Sequence, residues 1–231
     1  MSFGLPSNFN FDVIRTKSDV QRLLGTLPNR DRGVAARRLY ERRDHIGPAL
    51  AYFALMRAWE YDDGVLVEAF ETLDAFAAAL CPVAPPIKRK RPLRVWRCIA
   101  VRDAHPGHAA IGLSWTRSRD IACWFATTYR NRAKRPGARP FVFTVQLLPS
   151  DILAFHDGRK EQEALVDLAA LEGADIMVDG TTILTHDLTA DGTPPAVALA
   201  DWRAVGERYE ARKRQDRLNL LKAAKKGLGR S

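Results

Sequence analysis

The sequence predicts an α+β chain, on the strength of three stretches with different apolar periodicity. Residues 18–81 place apolar side chains three and four apart, the spacing of amphipathic helices. Residues 93–185 switch to short alternating or continuously apolar runs broken by Gly, Pro and Asp, as strands do. Residues 198–226 return to helical spacing. The expected organisation is an N-terminal helical region over 1–86, a central core over 87–195 and a basic C-terminal helix over 196–231.

The elements follow in order. Residues 1–16 look irregular, with Phe3, Phe9 and Phe11 as anchors. Ser18 starts a helix carrying Val20, Leu23 and Leu24, and Asp31 starts a second through Val34, Ala35, Leu39 and Tyr40. Gly47-Pro48 is a break. Further helices are predicted over 49–60 and 64–81, the last lined by Val65, Val67, Phe70, Leu73, Phe76 and Leu80.

From Cys81 to Pro92, prolines and the run Lys88–Arg91 cannot continue a helix and suit an exposed linker. That basic run is either a solvated hinge or a contact for phosphate. Beyond it, Leu93, Val95, Arg97 and Ile99 alternate with Arg94, Trp96 and Cys98. A loop over 102–111 and a short extended piece over 113–115 come next. Ser118 can cap a helix reaching to about 131, with Ile121, Ala122, Phe125 and Ala126 on one face. Lys134–Arg139 is a basic turn, and Phe141–Leu148 a buried strand. Strands are predicted over 152–156, 163–167, 174–178 and 181–185, with Asp157-Gly158 as a turn. The final helix shows Trp202, Val205, Tyr209, Leu218, Leu220 and Leu221 on its apolar face.

Bulk properties exclude several classes. At 231 residues the chain can bury a real core. No apolar run reaches the roughly 18–20 residues that span a bilayer. The N-terminus lacks a basic stretch followed by an apolar one, so no signal peptide is read and a cytoplasmic location is expected. Cys81, Cys98 and Cys123 are isolated and flanked by apolar residues. They read as free core thiols, and no metal site is expected. The net charge is +9. Ten Lys/Arg against four Asp/Glu lie between Asp201 and Ser231, so +6 of it sits there. A phosphate-bearing partner, nucleic acid or a phosphorylated cofactor, fits that balance.

Three pieces carry polar groups inside apolar strands: Arg97, then Ser114 and Thr116, then Glu161 and Glu163. Charge within a strand is costly unless it is paired or meets a ligand. The set resembles the arginine–serine–glutamate group of mono-ADP-ribosyltransferases found in bacterial toxins and phage proteins. Trp96-Arg97 is similar to the family's first-strand arginine. Gly112-Leu113-Ser114-Trp115-Thr116, followed by a helix with Trp124-Phe125-Ala126, resembles its Ser-Thr-Ser strand. Glu161-Gln162-Glu163 resembles its biglutamate motif, and order and spacing agree over about 93–185.

The resemblance implies an ADP-ribosyltransferase-like split β-sandwich around an NAD cleft. It implies NAD as substrate, cleaved at the nicotinamide–ribose bond. Glu163 would stabilise the oxocarbenium-like ribose through the 2′-hydroxyl. Arg97 would hold an NAD phosphate or ribose with its fork of donors. Ser114 would orient Glu163, and Thr116 would support the strand. The residue after the arginine, often Gly in the family, is Cys98 here; its backbone would hold the nicotinamide amide. Trp115 stands where the family's middle Thr does.

Glu161 would be the base for the acceptor, which the family resemblance makes protein arginine, with nucleic acid as a further option. Two residues apart on one strand, Glu161 and Glu163 would face the same side. Residues 155–160 would then recognise the acceptor. Trp115, Phe125 and Tyr129 are candidates to stack on nicotinamide, or else core; His156 reads as a loop residue rather than a base. The competing readings are an NAD glycohydrolase on the same fold and a non-enzymatic nucleic-acid-binding module using Lys88–Arg91 and the C-terminal helix.

Overall fold

The computed structural model describes residues 9–102, 104–128, 137–158 and 161–228, with the side chains of 225–228 excepted. Phe3, Tyr129, Lys134 and the Arg159-Lys160 pair lie outside the described residues. In chain order the helices are α1 (Lys17–Thr26), α2 (Asn29–Glu41), α3 (Arg43–Ile46), α4 (Pro48–Tyr61), α5 (Asp63–Ala69), α6 (Leu73–Leu80), α7 (Pro106–Ala110), α8 (Arg119–Thr127), α9 (Leu168–Glu172) and α10 (Ala196–Leu228). The strands are β1 (Leu93–Val101), β2 (Ser114–Thr116), β3 (Arg139–Leu147), β4 (Ile152–His156), β5 (Glu163–Val166) and β6 (Met177–Val178). The α+β class follows directly.

Two compact units divide the chain. The first comprises Met1–Arg91 and Leu148–Ala170, the second Pro92–Leu147 and Leu171–Ser231. The segment around β4 and β5, expected within the central core, thus shares a unit with the N-terminal helices.

In the first unit, Thr16 and Asp19 form a capping box that starts α1 one residue before Ser18. α4 is apolar almost all round, burying Leu50, Ala51, Ala54, Leu55, Met56, Ala58 and Trp59 against α1, α2 and α5. The helix expected over 64–81 is two helices. Glu71 adopts φ 71°, in the left-handed region, and the Thr72 hydroxyl accepts from Ala75 N at 3.0 Å to start α6. The apolar spacing runs on through the break because both helices bury into the same core. β4 and β5 pair antiparallel, with His156 opposite Glu163.

In the second unit the strands run in the order β2-β1-β3-β6, antiparallel throughout. β1 and β3 form its spine, registered from Leu93↔Leu147 to Val101↔Arg139. Alternation puts Val95, Arg97 and Ile99 on one face and Trp96 and Cys98 on the other. The predicted loop over 102–111 contains α7, begun by Pro106 at its first turn and capped by the His105 ring. The predicted strand over 181–185 is reduced to a single bridge, Met177↔Leu184, because the chain turns sharply at Gly180, φ 78°.

Asp179, 5% exposed, ties this unit together. Its carboxylate accepts from Trp96 Nε1 of β1 at 2.9 Å, Arg119 Nε of α8 at 2.8 Å and Trp202 Nε1 of α10 at 3.1 Å. Burial works against the charged form of Arg119. Its bonds to Asp179 and Asp201 outweigh that and hold its pKa above the ordinary arginine value. α10 packs on α8 only through its first half, where Trp202 and Val205 are buried. Residues 211–224 are all exposed, so Leu218, Leu220 and Leu221 do not join the apolar face expected to pack.

The cysteines also part company with the expectation of core thiols. Cys123 is buried, Cys98 half-buried and Cys81 exposed. Burial pushes the Cys123 thiol up to about 12. A thiol reagent should therefore modify Cys81 in the native protein and reach Cys123 only on unfolding; mass spectrometry of the native, labelled chain reads this directly. Replacing Asp179 with Ala should destabilise the fold by about 3–5 kcal/mol, since Arg119, the half-buried Trp96 indole and the buried Trp202 indole each lose an acceptor. Urea unfolding of Asp179→Ala with a wild-type midpoint would contradict that role.

Candidate functional site

In the second unit, Arg97 and Ser114 are brought together. The Arg97 guanidinium donates from Nη1 to the Ser114 carbonyl at 2.6 Å. Gly112 makes room for this. A Cβ at that position would overlap Arg97 Nη2, so any side chain there would push the guanidinium from its present place. The Gly-Leu-Ser-Trp-Thr segment therefore starts with Gly for a steric reason.

Thr116, 9% exposed, pairs with Trp96 in the sheet, and its hydroxyl accepts from Ser118 N at 3.1 Å. Ser118 in turn caps α8 as expected, accepting from Ile121 N, though α8 ends at Thr127. Cys98 sits on β1 opposite Val142.

The candidate stacking aromatics separate by burial. Trp115 is 1% exposed, and its indole donates to the Gly112 carbonyl at 2.8 Å, which makes it a core side chain. Phe125 is half-buried and meets Trp124 edge-on at 4.8 Å between ring centroids. The Trp124 indole donates to Glu210 of α10 at 2.7 Å.

In the first unit, β5 begins at Glu163 itself. Gln162 adopts φ 50°, in the left-handed region, so strand alternation does not extend back to Glu161. The same-face argument for the two glutamates therefore fails. Glu163 is 3% exposed, while Glu161 is half-buried in the turn before the strand.

The Trp59 indole of α4 donates to Glu163 Oε1 at 3.0 Å. Tyr52, two helical turns earlier on the same face, donates from its hydroxyl to the Phe155 carbonyl at 3.2 Å. Burial pushes the Tyr52 hydroxyl up to about 12, and the nearby Glu163 charge adds to the effect.

His156, the last residue of β4, is no loop residue. Its Nε2 lies 2.8 Å from Glu60 Oε1, close enough to pair but not aligned as a hydrogen bond. Arg57 pairs with the same Glu60. Gly158 packs so closely on Glu60 that any Cβ would overlap the carboxylate. The expected acceptor loop is thus anchored on α4 through Phe155, His156 and Gly158.

Elsewhere in this unit a cavity of about 340 Å³ is lined by Pro85, Pro86, Pro149, Ile152 and Leu153 among others. It carries no charged group and none of the candidate residues. Lys88–Arg91 are exposed and lie outside any helix or strand. Among the described residues, no cluster of three or more His, Cys, Asp or Glu could hold a metal, and no helix is long and apolar enough to cross a membrane.

Sequence reasoning missed Trp59, Tyr52 and Glu60. An indole, a phenol and a carboxylate spaced seven and eight apart in a mostly apolar helix were the available signal. No protein-family model, curated protein or solved structure matches the chain.

Gly112→Ala should cost about 0.5–1.5 kcal/mol, the bond to the Ser114 carbonyl that Arg97 gives up when its guanidinium moves aside. In an Arg97→Ala background the same change should cost clearly less, because the two residues share one space. Full additivity in urea unfolding would rule out the steric coupling.

Proposed function

We propose that the chain is a cytoplasmic NAD-dependent mono-ADP-ribosyltransferase with an ADP-ribosyltransferase-like split β-sandwich fold. It would cleave the nicotinamide–ribose bond of NAD and pass ADP-ribose to a macromolecular acceptor. The observation that carries the reading is Glu163, a carboxylate buried at the first position of β5 and held there by an indole N–H. Removing a carboxylate from water is costly, so a fold retains one where its charge is used or balanced. The Arg97 guanidinium against the Ser114 carbonyl, with Gly112 clearing its path, adds a second motif piece in an ordered arrangement.

In this mechanism the C1′–N bond breaks and its electron pair leaves with nicotinamide. Positive charge develops on the ribose, and Glu163 stabilises it more than it stabilises bound NAD. Arg97 binds a phosphate or ribose of NAD, with Ser114, Thr116, the Cys98 backbone and Phe125 completing the NAD contacts. The acceptor nitrogen or oxygen then attacks C1′, and its proton passes to Glu161. Protein arginine is the favoured acceptor.

A nucleic-acid acceptor or partner is supported by one separate observation. The exposed stretch 211–224 of α10 carries five Lys/Arg against one Asp.

Labelled NAD incubated with lysate should mark a macromolecule, and Glu163→Gln should lower the rate roughly 10²–10³-fold. Separating the labelled protein from the labelled RNA identifies the acceptor. Free ADP-ribose without any labelled macromolecule would make the enzyme a glycohydrolase. Labelling at an undiminished rate in Glu163→Gln would refute the assignment. Salt-sensitive RNA binding with no NAD turnover would leave the nucleic-acid-binding module.

A further inference from the structure

Glu163 is held by a residue far from it in sequence. Trp59 lies on α4, within the same compact unit, and is itself 3% exposed. Its ring stacks on Phe76 of α6, with centroids 5.3 Å apart and planes 7° from parallel. The stack fixes the indole plane, so the N–H points in one direction and meets Oε1 at 3.0 Å. Tyr52, one α4 stripe with Trp59, closes the same side of the hairpin through the Phe155 carbonyl.

We propose that Trp59 is a positioning residue of Glu163, and that the N-terminal helices exist in part to present it. This rests on the ADP-ribosyltransferase reading of Glu163. The chemistry favours an indole in that role. Tryptophan is a donor only and carries no charge at any working pH. It can fix the rotation of the carboxylate without adding a positive charge beside the developing ribose cation. An arginine or lysine in its place would hold Glu163 but oppose that cation. A hydroxyl could rotate its proton away, whereas a stacked indole cannot.

The test uses Trp59→Phe in the full-length chain, which keeps an aromatic ring beside Phe76 and removes the N–H together with part of the indole's volume. The expected result is a kcat for NAD cleavage roughly 10- to 100-fold lower, with KM for NAD changed less than about twofold. A merely structural residue would not separate kcat from KM in this way.

A second readout needs neither turnover nor the Trp59 variant. In the ¹H–¹⁵N spectrum, the Trp59 indole resonance should move upfield in Glu163→Gln, as a bond to a carboxylate gives way to one with a neutral amide. A Trp59→Phe enzyme with wild-type kcat, or an indole resonance indifferent to Glu163→Gln, overturns the proposal. Wild-type protein that cleaves no NAD while the indole still responds to Glu163→Gln would instead remove the functional reading and leave the bond.

Discussion

Asp179 is the interaction on which the second unit depends. One buried carboxylate takes donors from β1, from α8 and from α10, at 83, 60 and 23 residues from it along the chain. Each donor satisfies a group that would otherwise be stranded, and Arg119 balances the charge. The sheet and the two helices are therefore not only packed but registered. Trp96 and Arg97 are neighbours on β1 and point to opposite faces, so fixing Trp96 on Asp179 also fixes the direction of Arg97.

Glu163 is the corresponding buried carboxylate of the first unit, and the comparison is informative. Asp179 meets a guanidinium and two indoles, the arrangement of a structural hub. Glu163 accepts from the indole of Trp59, a donor that itself adds no charge. Around it, α4 supplies a polar stripe in an apolar helix: Tyr52 to the Phe155 carbonyl, Glu60 to His156 and Gly158, and Trp59 to Glu163 itself. The hairpin end that carries the glutamates is built against that stripe. This explains why β4 and β5 share a unit with the N-terminal helices rather than with β1.

Much of this was legible in the chain. The helices over 18–61 and the strands at β1, β3, β4 and β5 followed from periodicity, because each buries one face against a continuous core. Ser118 as a cap and Gly47-Pro48 as a break were equally plain. Legibility failed where apolar spacing outran local conformation. The run over 64–81 stays helical in pattern across Glu71, whose positive φ ends α5. The leucines at 218, 220 and 221 imply a packed face, but α10 is exposed from 211 to 224, beyond the part where Trp202 and Val205 are buried. Gln162 likewise breaks the alternation that would have aligned Glu161 with Glu163.

By itself, the sequence determined the α+β class, the basic C-terminal helix and the candidate set Arg97, Ser114, Glu161 and Glu163. These depend on residue type and short-range spacing, which the chain carries openly. Only the tertiary structure decided that Gly112 yields space to Arg97, that Trp115 is core, and that Asp179 is a hub. It alone decided that Trp59, over a hundred residues upstream, holds Glu163. Such partnerships pair a donor with an acceptor across a folded interior. No periodicity announces them, because what selects the partner is the cost of leaving a buried polar group unmatched.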